Sequence, residues 1–204
     1  MKTWIAASKV YLERRVFVIL LLGFSSGLPL LLVYSTLSAW LKESGVSLTM
    51  IGLFSWASTA YALKFLWAPL VDKMPLPGLT RLLGQRRSWL VLSQALIAIT
   101  MIGLGGTDPA TDLWWTALWA VLLAFASATQ DIAIDAYRIE SLPEEQLGAG
   151  SANYVFGYRI AMLVAGAGAL FIADGFGWYW AYVAMAGLMA VGVITVLVNP
   201  EPGR

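Results

Sequence analysis

Ser127-Ala-Thr-Gln-Asp-Ile-Ala-Ile-Asp-Ala-Tyr-Arg138 closes an apolar run that begins near Leu113, and it carries two carboxylates, Asp131 and Asp135. On a helix these acids lie one turn apart on one face, with Ser127 a turn above them. Ionisable groups inside a membrane segment are costly, so they are as a rule paired or functional. The surroundings of this stretch therefore decide the fold, and its partners decide the function.

Working outward, 59% of the 204 residues are hydrophobic and only 12% charged, where an ordinary soluble domain has about a quarter charged. The composition is that of an integral membrane protein. Cysteine and histidine are absent, which excludes a disulfide framework, a thiolate or imidazole metal site and a thiol nucleophile. No metal or cofactor is expected, and a net charge of +1 gives no basis for binding nucleic acid.

Hydropathy divides the chain into a polar arm (1–15), six apolar spans and the start of a linker (199–204). The spans are read at about 16–40, 49–70, 88–104, 113–137, 148–172 and 178–198, each long enough to cross the hydrocarbon core as a helix. Gly27-Leu28-Pro29 is expected to break the first span near its middle. Trp114, Trp115 and Trp119 open the fourth as an interfacial belt. Arg138–Leu147 reads as a charged loop. Positive charge sets orientation. Lys2, Lys9, Arg14 and Arg15 lie in the arm, Lys73, Arg81, Arg86 and Arg87 follow the second span, and Arg138 follows the fourth, whereas the other three loops hold only Lys42. Both termini are predicted to be cytoplasmic. The fold class is an all-α membrane protein with six transmembrane helices.

Four ionisable residues fall within these spans: Lys64, Asp131, Asp135 and Arg159. At ~1.5 Å of rise per residue, all four lie in the cytoplasmic half of the bundle. Two bases and two acids from three helices would form a neutral cluster, as the cost of burying lone charge demands. Gly157, Ala161, Ala165 and Ala169 make a small-residue stripe for close packing on the fifth span. Arg159 lies off that stripe and is expected to pair with Asp131 beside a water-filled cavity. The cluster either holds helices together or lets a carboxylate exchange partners and carry a proton or a solute group. Gln130, Tyr61, Asn153, Tyr154, Ser25 and Ser26 add polar groups that would line such a cavity or tie helices together.

Enzymatic readings fare poorly. No histidine is present to activate a serine, and no phosphate-binding Gly-Lys-Ser/Thr loop occurs. An intramembrane aspartyl protease needs acids on two helices, whereas both are on one here. No catalytic residue is assigned.

The ordered motifs resemble a known family. Six helices with a basic loop after the second are similar to the N-terminal half of a major facilitator transporter. That family's loop pattern is roughly Gly-x-x-x-Asp-Arg-x-Gly-Arg-Arg. Here Ala68 stands for the first glycine, Asp72-Lys73 for Asp-Arg, and Gly84-Gln85-Arg86-Arg87 resumes the pattern after an insertion. Gly23-Phe-Ser-Ser-Gly-Leu-Pro29, Lys64-Phe-Leu-Trp-Ala-Pro69, Gln130-Asp131 through Asp135-Ala136, and Gly157-Tyr-Arg159 resemble the AmpG-type muropeptide permeases. These are relatives of the acetyl-CoA transporters, which share the Gln-Asp-Ile-Ala element.

The resemblance implies proton-driven import of anhydro-muropeptides, products of cell-wall turnover, across the bacterial inner membrane. It also implies a cytoplasmic hinge or latch at Asp72, Arg86 and Arg87 of the loop motif that includes Lys73. The partners implied are lipid, a proton, a small solute, and either a C-terminal helical half or a second copy, because alternating access needs two halves. A transporter of another solute, such as an acyl-CoA-like anion, and a non-transporting membrane module are the alternatives.

Overall fold

A computed structural model describes residues 9–203, and these form helices and connecting turns without a strand. A 3-10 turn, Val10–Leu12, leads into α1 (Arg14–Val33) and α2 (Ser35–Glu43), followed by α3 (Leu48–Phe54), α4 (Thr59–Leu63), α5 (Ala68–Lys73) and α6 (Leu79–Leu83). Next come α7 (Gln85–Gly105), α8 (Leu113–Ser141), α9 (Leu147–Leu163), α10 (Ala169–Phe176), α11 (Trp178–Leu188) and α12 (Ala190–Val198). Five helical stretches are long and apolar enough to cross a membrane: Arg14–Glu43, Gln85–Gly105, Leu113–Ser141, Glu144–Phe176 and Trp178–Val198.

The expected span at 49–70 is not one continuous helix. It is α3, a 3-10 turn at Ser55–Ser58, α4, a second 3-10 turn at Lys64–Leu66, and α5. Pro69 accounts for the second interruption. It cannot donate to the carbonyl of Phe65, and its ring crowds that carbonyl, while Trp67 leaves helical geometry at φ −110° and ψ 0°.

The break expected at Gly27-Leu28-Pro29 lies elsewhere. Helix α1 runs through Pro29 and stops a turn later at Tyr34, at φ −103° and ψ −98°. Hydroxyls from neighbouring segments take up nearby carbonyls, as a membrane interior requires. Tyr182 Oη donates to Leu32 O at 3.0 Å, and Thr36 Oγ1 to Ala165 O at 3.0 Å. Ala165 lies in a π-helical turn, Val164–Gly168, that joins α9 to α10.

Glycine serves contact in α1, where it had been expected to bend the helix. A Cβ at Gly23 would strike the carbonyl of Tyr154, one at Gly27 that of Tyr158, and one at Gly157 that of Leu20. Helices α1 and α9 thus meet backbone to backbone, and Ala161, Ala165 and Ala169 continue the seam, all fully buried. Gly157→Ala is expected to destabilise the bundle by about 1–3 kcal/mol through overpacking, read as a lower thermal midpoint in detergent. Gly187→Ala is the control. Nothing lies within 4 Å of its Cβ position, so it should hold or raise the midpoint.

Two apolar clusters sit at different levels of the same helices. One joins Leu28 and Leu32 to Ile97, Leu104, Leu123 and Met185; the other joins Ile19 and Leu22 to Leu90, Ile132, Ile134 and Val196. The residues between them along each helix are polar and buried: Ser25 and Ser26 on α1, Ser93 and Gln94 on α7, Ser127, Thr129 and Gln130 on α8. A polar belt therefore crosses the bundle at one depth, and Asp131 stands at its edge.

Candidate functional site

At that edge the side chains form a connected set. Ser26 Oγ donates to Asp131 Oδ1 at 2.5 Å and lies 2.9 Å from Tyr154 Oη. The Arg138 guanidinium stands 5.3 Å from the Tyr154 ring centroid, and its Nη2 lies 3.3 Å from Asp135 Oδ1. Lys64 Nζ approaches the other oxygen, Asp135 Oδ2, at 3.7 Å. Asp135 is thus held by two cations, whereas the hydrogen bond to Asp131 comes from a neutral hydroxyl. The α1–α9 seam sets this arrangement, because it brings Ser26 and Tyr154 together over the α8 acids.

The expected Asp131–Arg159 pair does not form. Arg159 is exposed on α9, and among the described residues it makes no ion pair. Arg138 takes the fourth place in the neutral cluster instead. Its reading as a loop residue is corrected for a simple reason: α8 continues to Ser141, because nothing stops it before Pro143 constrains Leu142. The extra turn places Arg138 at i+3 from Asp135.

Several candidate lining groups point into the bundle. Gln130 is fully buried and donates from Nε2 to Ser25 Oγ at 2.8 Å, while Ser25 itself contacts Met189 Sδ. Asn153 Nδ2 donates to Tyr11 O and Val16 O at 3.0 and 3.2 Å, fastening α9 to the start of α1. Tyr61 packs near Tyr34, with ring centroids 6.3 Å apart. Ser26 and Tyr154 remain with the charged set. Gln94 was missed by the sequence reading. It is fully buried, and neither of its amide atoms has a hydrogen-bond partner among the described residues. A glutamine in the middle of an apolar span was the available signal.

The basic loop forms a second hub. Arg86 reaches Asp72 Oδ1 from Nη1 at 2.6 Å and grips Glu140 with Nε and Nη2, the latter at 2.6 Å. Glu201 accepts from the backbone N–H groups of Arg86 and Arg87 at 2.8 and 3.0 Å, where the N-terminal end of a helix favours a carboxylate. Arg87 Nε donates to Val196 O and its Nη2 to Leu197 O. Gly84 permits the turn into α7 with φ +91°, and a Cβ there would run into the Glu201 side chain. Lys73 ends α5 and is in none of these bonds. Glu140 and Glu201 were not anticipated, because Glu140 joins the hub only once α8 is extended and Glu201 only once the chain folds back past α12.

Among the described residues no acids converge to hold a metal ion. Membrane-length helices around a belt of buried polar side chains, with a charged cluster at its edge, are those of a polytopic membrane protein. The chain belongs to the Major Facilitator Superfamily, whose family model matches residues 19–204. It is 43% identical over 195 residues to the anhydromuropeptide permease of Escherichia coli K12, covering 95% of this chain and 39% of that protein. It is 41% identical over 196 residues to the putative transporter AmpG 4 of Rickettsia felis, covering 95% of this chain and 47% of the relative. An uncharacterized protein of Haemophilus influenzae is 38% identical over 190 residues. The chain therefore spans less than half the length of these relatives. It is a transporter-family, multi-pass protein of the inner membrane.

Proposed function

We propose that this chain is the N-terminal, six-span half of a proton-coupled permease that imports anhydro-muropeptides, with both termini cytoplasmic. The observation that carries the solute is the 43% identity to the E. coli permease across 95% of this chain. The segmented stretch from Leu48 to Lys73 is the second span in this reading. Coupling is assigned to Asp131, because a carboxylate bonded to a hydroxyl alone can take up a proton without breaking a direct ion pair. Asp135, fixed between Lys64 and Arg138, holds α8 to the second span. Arg86 with Asp72, Glu140 and Glu201 latches the cytoplasmic end.

The partner in this reading is a second helical half set against α9 and the second span. Its support is the low burial of that face: 22% of the most apolar window of Glu144–Phe176 is covered by the bundle, against 67% for Arg14–Glu43. The test is uptake of labelled anhydro-muropeptide by permease-deficient cells that express the chain with and without a complementing C-terminal half. Uptake is expected only with both halves. Uptake of an acyl-CoA and not of the muropeptide would replace the solute assignment, and no uptake of either would leave a non-transporting module.

A further inference from the structure

Of the four ionisable residues that the sequence places within the spans, one stands apart from the charged cluster. Lys64, Asp131, Asp135 and Arg138 balance two against two within a single connected set. Arg159 stands outside it, on the side of α9 turned away from the Gly157 and Ala161 seam. It lies twelve residues beyond the start of α9 at Leu147, so about 18 Å along the helix axis. In a hydrocarbon core about 30 Å thick, that is the middle, too deep for the side chain to reach either surface. A guanidinium at this depth without an acid is costly.

Aromatic and aliphatic side chains surround it. Arg159 lines a cavity of about 340 Å³ with Leu30, Tyr154, Val155, Tyr158 and Met162. Tyr154 connects this wall to the proposed coupling acid, since its hydroxyl meets Ser26 Oγ, which in turn donates to Asp131. The planar fork of arginine presents paired donors matched to a planar carboxylate, with a specificity that lysine lacks.

We propose that Arg159 binds a free carboxylate of the transported solute. This rests on the transporter reading above and specifies its chemistry: the solute must be an anion at this end, as a peptide with free carboxyl groups is. The solute then supplies the missing counter-charge at mid-membrane, at a wall joined to Asp131 through Tyr154 and Ser26.

The experiment uses the complete two-half transporter in proteoliposomes, with anhydro-muropeptide in free-acid form and with every carboxyl group amidated. In the unaltered protein, amidation is expected to lower uptake by roughly thirty-fold, the lower end for losing one partner of a desolvated charge pair. Arg159→Gln should lower uptake of the free acid by a similar factor and leave uptake of the amide unchanged. Arg159→Lys should give an intermediate loss, confined to the free acid. Equal loss of both solutes in either variant would overturn the proposal, because it would mean that Arg159 pairs with an acid of the protein itself. Unchanged uptake of both would also overturn it. If the unaltered protein carries neither form, the transporter reading fails first and the proposal with it.

Discussion

Asp131→Asn is expected to abolish pH-gradient-driven accumulation of solute by the complete transporter, while exchange of solute across the membrane continues. Asparagine keeps an oxygen where Asp131 Oδ1 accepts from Ser26 Oγ at 2.5 Å, so the polar contacts of the site survive. What it cannot do is alternate between charged and neutral forms. An accumulation ratio of one, with counterflow at the unaltered rate, would separate coupling from binding. Accumulation that persists in the variant would make Asp131 a packing residue and move the coupling elsewhere.

Asp135→Asn provides the contrast. It leaves Lys64 and Arg138, 3.7 and 3.3 Å from its carboxylate oxygens, without their shared anion. Both exchange and accumulation should then fall together, because the second span loses its hold on α8. Two acids one turn apart on the same helix thus differ in what holds them. Only the one held by a neutral hydroxyl is free to change charge without breaking a direct ion pair.

Much of this arrangement was legible in the sequence. The acids of Gln130–Arg138 and the small-residue stripe of the fifth span follow from helical periodicity. The loop motif between the second and third spans was visible as a charge run, although Arg86's grip on Glu140 and the bonds from the backbone of Arg86 and Arg87 to Glu201 were not. Pairwise geometry escaped for one reason: depth along a helix can be counted from the sequence, but azimuth around neighbouring helices cannot. Arg159 and Asp131 were placed at similar depth, yet the close α1–α9 contact at Gly23 and Gly157 turns Tyr154 toward α8 and Arg159 away from it. Gln130 and Asn153 were open in the sequence as cavity-lining groups or as ties between helices, and each bonds to a partner inside the bundle. The second span was read as one helix because its stretch is apolar enough overall to cross a membrane, and the local cost of Pro69 is invisible to hydropathy.

Arg86→Ala is expected to cost about 3–4 kcal/mol of stability, somewhat below the full value for breaking a wholly buried ion pair. Its side chain is only 10% exposed, but Glu140 is 25% and Asp72 45% exposed, so water relieves part of the loss. The larger share comes from two carboxylates left facing each other with no cation between them. That origin predicts the sign of the double substitution. Arg86→Ala with Glu140→Ala should recover part of the thermal midpoint lost by the single change, because no crowded acid remains. Glu201→Ala should cost about 1 kcal/mol, the usual loss for a helix N-terminal carboxylate cap, since its bonds run to the backbone of residues 86 and 87 and are independent of the guanidinium. Additive losses from Arg86→Ala and Glu201→Ala would show two separate fastenings at this end of the bundle. A loss for the double change at 86 and 140 greater than for Arg86→Ala alone would instead show that Glu140 carries packing of its own, and the account of the hub as an electrostatic tie would fail.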